Sequence, residues 1–316
     1  MKKVFEKLNL RDYGVLLGFL ALCIAISIAT PSFLGKQNIL NLLRQSSIIG
    51  IISAGMTFVI ISGNFDISVG AVAALAGAIT MKFATGGTNL FASMLLGVAI
   101  CAVIGLINGI VVAKINVPSL IATMAMVTIV RGLLLMLTGG YPITENIPIL
   151  DYIGNGYLFN IPIPVVIFFI VVLVSFIVLN KTKFGRYVYS VGGNQEASKL
   201  NGINVDSHKV KVFIINAVLA GIAGIVLTGR LGTATAIAGE GYDMDAIASV
   251  VIGGTSVAGG SGSVLKTVIG VLLMSVINNS FNLLGIDVYF QYIFKGLIIL
   301  AAVGFDSYSK KKLASR

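Results

Sequence analysis

Residues 163–181 read IPVVIFFIVVLVSFIVLNK, a run that carries no charge before its final lysine. Inside a bilayer no water satisfies backbone N–H and C=O groups, so such a run is stable there only as a helix, and about 20 apolar residues are needed to cross. Comparable runs recur along the chain, near 13–30, 46–62, 67–84, 90–113, 119–137, 163–180, 210–229, 244–258, 264–284 and 288–305. With 57% hydrophobic and 11% charged residues, against about 45–50% and about 25% in soluble domains, the whole of 1–316 reads as a single all-α, polytopic membrane domain of about ten transmembrane helices.

The first run follows Lys2, Lys3, Lys7 and Arg11. It is too long for a secretory signal and no small-residue cleavage site follows, so it is expected to be a permanent span. Cys23 and Cys101 both fall inside spans, where thiols behave as small hydrophobes; no disulfide framework is expected.

Ten crossings would place both termini and every second loop on one side. With the amino end cytoplasmic, sixteen of the 22 basic residues lie inside and four outside, namely Lys36, Arg44, Lys82 and Arg230. Arg131 and Lys295 fall within spans. This is the asymmetry that the positive-inside rule requires. The net charge of +10 therefore reflects topology and contact with anionic lipid rather than nucleic-acid binding. The short run 244–258 must cross for the basic end SKKKLASR to stay inside, and the glycine-rich stretch after it is expected to finish the passage.

That stretch, GGTSVAGGSGSVLKT from Gly253 to Thr267, resembles a phosphate-binding loop only superficially. Gly260, Lys266 and Thr267 fit the frame G-x-x-x-x-G-K-[ST], but Leu265 stands where the second glycine must be and membrane spans flank both sides. Glycines in membrane helices permit close backbone approach and irregular geometry, so a packing and bending role is expected. The same applies to GLING, Gly105 to Gly109.

The loop from Lys181 to Lys211 holds a different signal. Asn194 can cap a short helix of about seven residues, Glu196 sits in its first turn where a negative charge suits the dipole, and Gly202 can take the left-handed conformation that ends it. On residues alone the helix could lie on lipid headgroups. EASKLNG, Glu196 to Gly202, resembles the E-A-A-x-x-x-G signature of ABC-importer permeases, with Ser198 for the second alanine and without the usual I-x-L-P tail. FGRYVYSVGGNQEASKLNGINV, GMTFVIISGNFDISVGA, GEGYDMDAIASVVIGGTSVAGGSGSV and INNSFNLLGIDVYFQYIFKGLIILAAV are similar to segments of the ribose-type sugar permeases along nearly the whole chain. Departures are mild: Asn64 and Phe65 replace glycine and isoleucine, and Asp243 replaces glutamate.

The resemblance implies the transmembrane subunit of an importer in the bacterial plasma membrane, paired with a second copy as a homodimer. A separate cytoplasmic ABC ATPase would drive it and an extracytoplasmic sugar-binding protein would feed it. The chain itself would be neither an enzyme nor a cofactor carrier. The ATPase would meet Gly192, Gly193, Asn194, Glu196, Ala197, Leu200, Gly202 and Ile203. Asn64, Asp66 and Ser68, in the matching segment, would belong to the translocation pathway.

Polar residues within spans point the same way. Asn278 and Asn282 share a helix face at i, i+4 with Asn279 beside them, a pattern that serves interhelical hydrogen bonding or a sugar path equally well. Asp287, Gln291 and Lys295 form a second stripe, with Gln291 assigned to the path. Lys295 and Arg131 are expected to hold the fold, Lys295 by binding exposed carbonyls of the broken glycine-rich segment. GNFDISVGA and GYDMDAIAS form a faint repeat of opposite orientation, as an inverted-repeat transporter would show. An ion-coupled carrier of a small polar solute would instead place acids deep in its helices, whereas here they lie near span ends. An intramembrane enzyme would need more than the single histidine, His208, in a polar loop.

Overall fold

The computed structural model describes residues 10–314, and side chains from Gly14 to Gly304. Its helices are α1 (Leu10–Ala29), α2 (Lys36–Ile61), α3 (Val69–Thr85), α4 (Leu90–Ala113), α5 (Ser119–Thr138), α6 (Pro148–Asn155), α7 (Ile163–Lys181), α8 (Lys183–Gly193), α9 (Gln195–Leu200), α10 (Val205–Leu231), α11 (Tyr242–Ile252), α12 (Val264–Leu283) and α13 (Val288–Ala314). Two-residue strands β1 (Ile143–Thr144) and β4 (Thr233–Ala234) pair antiparallel, as do β2 (Tyr157–Leu158) and β3 (Ile161–Pro162). Among the described residues six helices, α2, α4, α5, α7, α10 and α12, are long and apolar enough to cross a membrane, and the apolar helices Gly14–Ala29, α3 and Val288–Gly304 are shorter.

Packing sorts these helices. In α2, 94% of the apolar window is buried inside the protein, against 22% in α7 and 28% in α4 and α5; α2 is therefore a central helix and the other three present most of their surface outward. Ile48, Ile52, Met56 and Ile60 of α2 join Val72 and Ala76 of α3, Phe213 and Ala220 of α10, and Ala246 and Val250 of α11 in one core. Small residues let these helices approach. A Cβ on Gly224 of α10 would lie 1.8 Å from the Ala73 carbonyl oxygen, and one on Gly105 of α4 would lie 2.6 Å from that of Phe213. The G-x-x-x-G pair of α4 is thus its contact face on α10.

The bundle has two distinct ends. At one, which we call the loop end, Ile61, Gly192 and Gly260 meet. At the other, the strand end, β1 and β4 pair and Arg44 donates to the Asn155 carbonyl at 3.0 Å.

The run expected at 244–258 departs from expectation. Only Tyr242–Ile252 is helical, 11 residues or about 16 Å at 1.5 Å per residue, roughly half of a hydrocarbon layer. The missing half is not supplied by the glycine-rich stretch, which lies at the loop end, where Gly260 N donates to the Ile61 carbonyl at 2.9 Å. It is supplied by residues 235–241, a series of turns descending from β4 toward the interior, where Gly239 meets Gly70 backbone to backbone. The loop 181–211 also holds more than the one short helix expected: α8 precedes α9 and buries Gly185, Val188 and Val191.

Candidate functional site

The irregular turns 235–241 border a cleft of about 620 Å³ lined by Ile67, Gly70, Met124, Thr128, Arg131, Glu240, Asp243, Met244 and Tyr292, among others. Backbone this deep in an apolar bundle needs partners for its freed carbonyls. Arg131 of α5 provides them, its Nη1 donating to the carbonyls of Ala236 and Ala238. Arg131 thus ties α5 to these turns, and the same residue forms part of the cleft wall. The α3 and α11 amino ends both reach this wall, and Asp243 and Asp245 occupy the first turn of α11, where acids complement the positive end of the helix dipole.

None of the residues expected along a sugar path lines this cleft. Asn64, Asp66 and Ser68 are buried at the turn between α2 and α3. Asp66 accepts from Ser68 N at 2.9 Å, Ser68 Oγ at 2.6 Å and Asn216 Nδ2 at 2.9 Å, and Ser68 Oγ in turn accepts from Asn108 Nδ2 at 3.1 Å. Asn64 Nδ2 donates back to Ser62. Ile67, between these polar groups, is what faces the cleft. Asn108 and Asn216 escaped notice in the sequence; a single amide inside an apolar run gives no hint of its partner.

The amides of α12 also make interhelical bonds. Asn278 Nδ2 donates to Asp245 Oδ2 at 3.3 Å, Asn279 and Asn38 exchange bonds of 2.8 and 3.0 Å, and Asn282 accepts from Gln291 Nε2 at 3.2 Å. Lys295 does not bind carbonyls of the glycine-rich segment. It sits 3.0 Å from Asp245 Oδ1, forming the ion pair that joins α13 to α11. Nor do all acids lie near span ends, because the halved passage carries Asp245 into the interior, with 4% of its side chain exposed. A buried carboxylate beside a fixed ammonium is already neutralised, so Asp245 offers no vacant cation site.

At the loop end the capping pattern is realised atom by atom. Asn194 accepts from Ala197 N at 2.9 Å, Glu196 lies in the first turn of α9, and Gly202 has φ of 78°. Asn194, Glu196, Ala197 and Leu200 are exposed, Leu200 to 90%, while Ile203 is half-buried. Leu200 is thus an apolar side chain exposed on a largely polar six-residue helix. Two bonds brace α9 from behind: Ser198 Oγ lies 2.9 Å from Ser190 Oγ of α8, and Lys209 Nζ donates to Gln195 Oε1 at 2.9 Å. Gly192 and Gly193 do not belong to the exposed tip as a unit, since Gly192 packs inward against Ile61.

A bundle of apolar helices with a broken passage, a cleft beside it and an exposed, braced helix at one end has the features of a membrane permease. Over residues 38–303 it matches the family model described as branched-chain amino acid transport system, permease component, and the chain belongs to that family. It is 44% identical to the ribose import permease protein RbsC of Haemophilus influenzae over 93% of this chain and 94% of the relative. It is 43% identical to RbsC of Bacillus subtilis, over 94% and 93%, and 35% identical to the L-arabinose transport system permease protein AraH of Escherichia coli K12, over 95% and 92%. No solved structure matches the chain.

Proposed function

We propose that this chain is the permease subunit of a binding-protein-dependent ABC importer for a monosaccharide, ribose or a related pentose. The observation that carries the reading is similarity over nearly the full length of chains named as ribose, arabinose and xylose permeases. Two copies form the translocation unit in the bacterial plasma membrane. A separate ATPase supplies the energy at the loop end, and a sugar-binding protein delivers its cargo at the strand end. Leaving out the short helices α6, α8 and α9, successive helices alternate between the two ends, which supports ten crossings with both termini cytoplasmic, the broken passage of α11 counting as one.

The coupling surface is α9 with its flanks. Exposed Leu200, Glu196 and Ala197, the Asn194 cap and the Gly202 turn present one stiff projection to the ATPase, with Ile203 seating its base. The sugar passes the cleft beside Arg131. Glu240 and Asp243 accept from sugar hydroxyls, the Thr128 hydroxyl serves as donor or acceptor, and Tyr292 offers an apolar face to the ring. A volume of about 620 Å³ falls within the range of small-molecule sites, about 300–1,000 Å³. Asn278, Asn279, Asn282 and Gln291 keep the helices beside that route in register, and Asn64, Asp66 and Ser68 hold its floor through Ile67.

Proteoliposomes containing the permease, its ATPase and its binding protein test this directly. ATP-dependent uptake of labelled ribose, xylose or arabinose is expected, and is lost when the binding protein is omitted. Uptake that runs on an ion gradient without ATP overturns the reading in favour of a secondary carrier.

A further inference from the structure

Three glycine segments far apart in sequence converge at the loop end. Gly63 follows α2, Gly192 and Gly193 close α8, and Gly259 and Gly260 lie between α11 and α12. Their backbones touch: a Cβ on Gly192 would lie 1.7 Å from the Ile61 carbonyl oxygen, one on Gly259 would lie 2.9 Å from Gly63 Cα, and one on Gly260 would lie 2.7 Å from Gly193 Cα. Side chains would hold these segments apart, so the glycines put the end of α8 in direct contact with both chains that lead into the cleft. One leads through Ile67 to α3, the other back to α11.

Gly260 N donates to the Ile61 carbonyl, but the close approaches of Gly192 and Gly193 of α8 are van der Waals contacts, which transmit a push and resist a pull poorly. One side chain adds a directional tie. Tyr189 of α8 donates its hydroxyl to the Gly262 carbonyl at 3.0 Å, across 73 residues of sequence. Gly262 stands two residues before α12 begins, at the joint between α11 and α12. Burial pushes the Tyr189 phenol above its ordinary range, which keeps the proton on and the donor intact. Since α8 runs into α9 through Asn194, motion of α9 is carried by α8 to this joint.

We propose that Tyr189 is a positioning residue for transport: its bond to Gly262 makes the α8–α9 hairpin pull the α11–α12 joint when the ATPase moves, so that hydrolysis is converted into movement of the cleft wall. The proposal rests on the ATPase docking at α9 assumed above. It assigns to one hydroxyl a role that neither packing nor docking requires.

The test uses the complete transporter in proteoliposomes, with Tyr189→Phe removing the hydroxyl and keeping the ring. ATPase docking and ATP turnover are expected to remain at the parent level, while sugar moved per ATP falls roughly fivefold, the factor that one ordinary hydrogen bond represents. Tyr187→Phe removes the same atom from an exposed neighbour and is expected to keep the parent ratio. An unchanged ratio in Tyr189→Phe overturns the proposal. So does a parallel fall of uptake and hydrolysis with a lowered melting temperature, which marks a purely structural tyrosine, or an equal loss in Tyr187→Phe. A parent complex that docks no ATPase at all overturns the functional reading and this proposal together, whereas a working parent with an indifferent Tyr189→Phe overturns this proposal alone.

Discussion

The segments GNFDISVGA and GYDMDAIAS look alike, and each leads from acidic residues into a helix of small side chains, α3 and α11. The two helices run in opposite senses and their amino ends meet where Gly70 touches Gly239. Yet each buries its carboxylate by a different chemistry. Asp66 is held by neutral donors, two from Ser68 and one from Asn216. Asp245 is held by a cation, Lys295, with Asn278 in support. A charge in a low-dielectric interior persists only with such partners, so resemblance of pattern does not dictate how the cost is met. The consequence is mechanical. The neutral cage draws its three donors from the α2–α3 turn itself and from α10, whereas the ion pair ties α11 to α13, near the outer edge of the bundle.

That contrast can be broken most sharply at the cation. Lys295→Met leaves Asp245 uncompensated and is expected to cost about 3–5 kcal/mol, read as a large drop in melting temperature in detergent. Adding Asp245→Leu to it is expected to restore most of the loss. If the double variant is as unstable as the single one, the pair is not the stabilising unit.

Asp66→Asn probes the neutral cage. It brings an NH₂ group where donors already converge, and is expected to cost about 1–3 kcal/mol, less than Lys295→Met. Equal costs in the same melting experiment would erase the distinction between cage and ion pair.

Arg131→Met frees the carbonyls of Ala236 and Ala238 on the α11 side only. A loss of about 1–2 kcal/mol is expected, together with reduced sugar uptake, while α3 keeps its protection in hydrogen exchange. Deprotection spreading to α3 would show that α3 and α11 move as one body.

The smallest effect is expected from Asn279→Ala, which removes an amide exchange with Asn38 at the strand end. Interhelical bonds of this kind are worth about 0.6 kcal/mol on average, and transport is expected to stay near the parent rate. A severe transport defect at full stability would place Asn279 on the sugar path after all.

Much of the architecture follows from local rules and was legible in the residues. A run such as 163–181 must be helical wherever water is excluded, whereas its outward placement is a matter of packing. Asn194 and Gly202 mark the ends of α9 because capping uses atoms within three or four residues of one another. The helix α8 was missed: three of its residues are glycines, and the pattern that reveals it is the burial of Val188 and Val191 against a neighbour. The passage 235–252 was misread for a related reason. A half-helix and a full one share the same composition, and only the meeting of Gly239 with Gly70 decides where the helix begins. Lys295 had to find a partner, as its position in a span required, but the choice of Asp245 lay 50 residues away. The cleft beside Arg131, the cage around Asp66 and the tie from Tyr189 to Gly262 share that character. Each joins groups that sequence order keeps apart, and such contacts are fixed by the packing of whole helices, which no local pattern encodes.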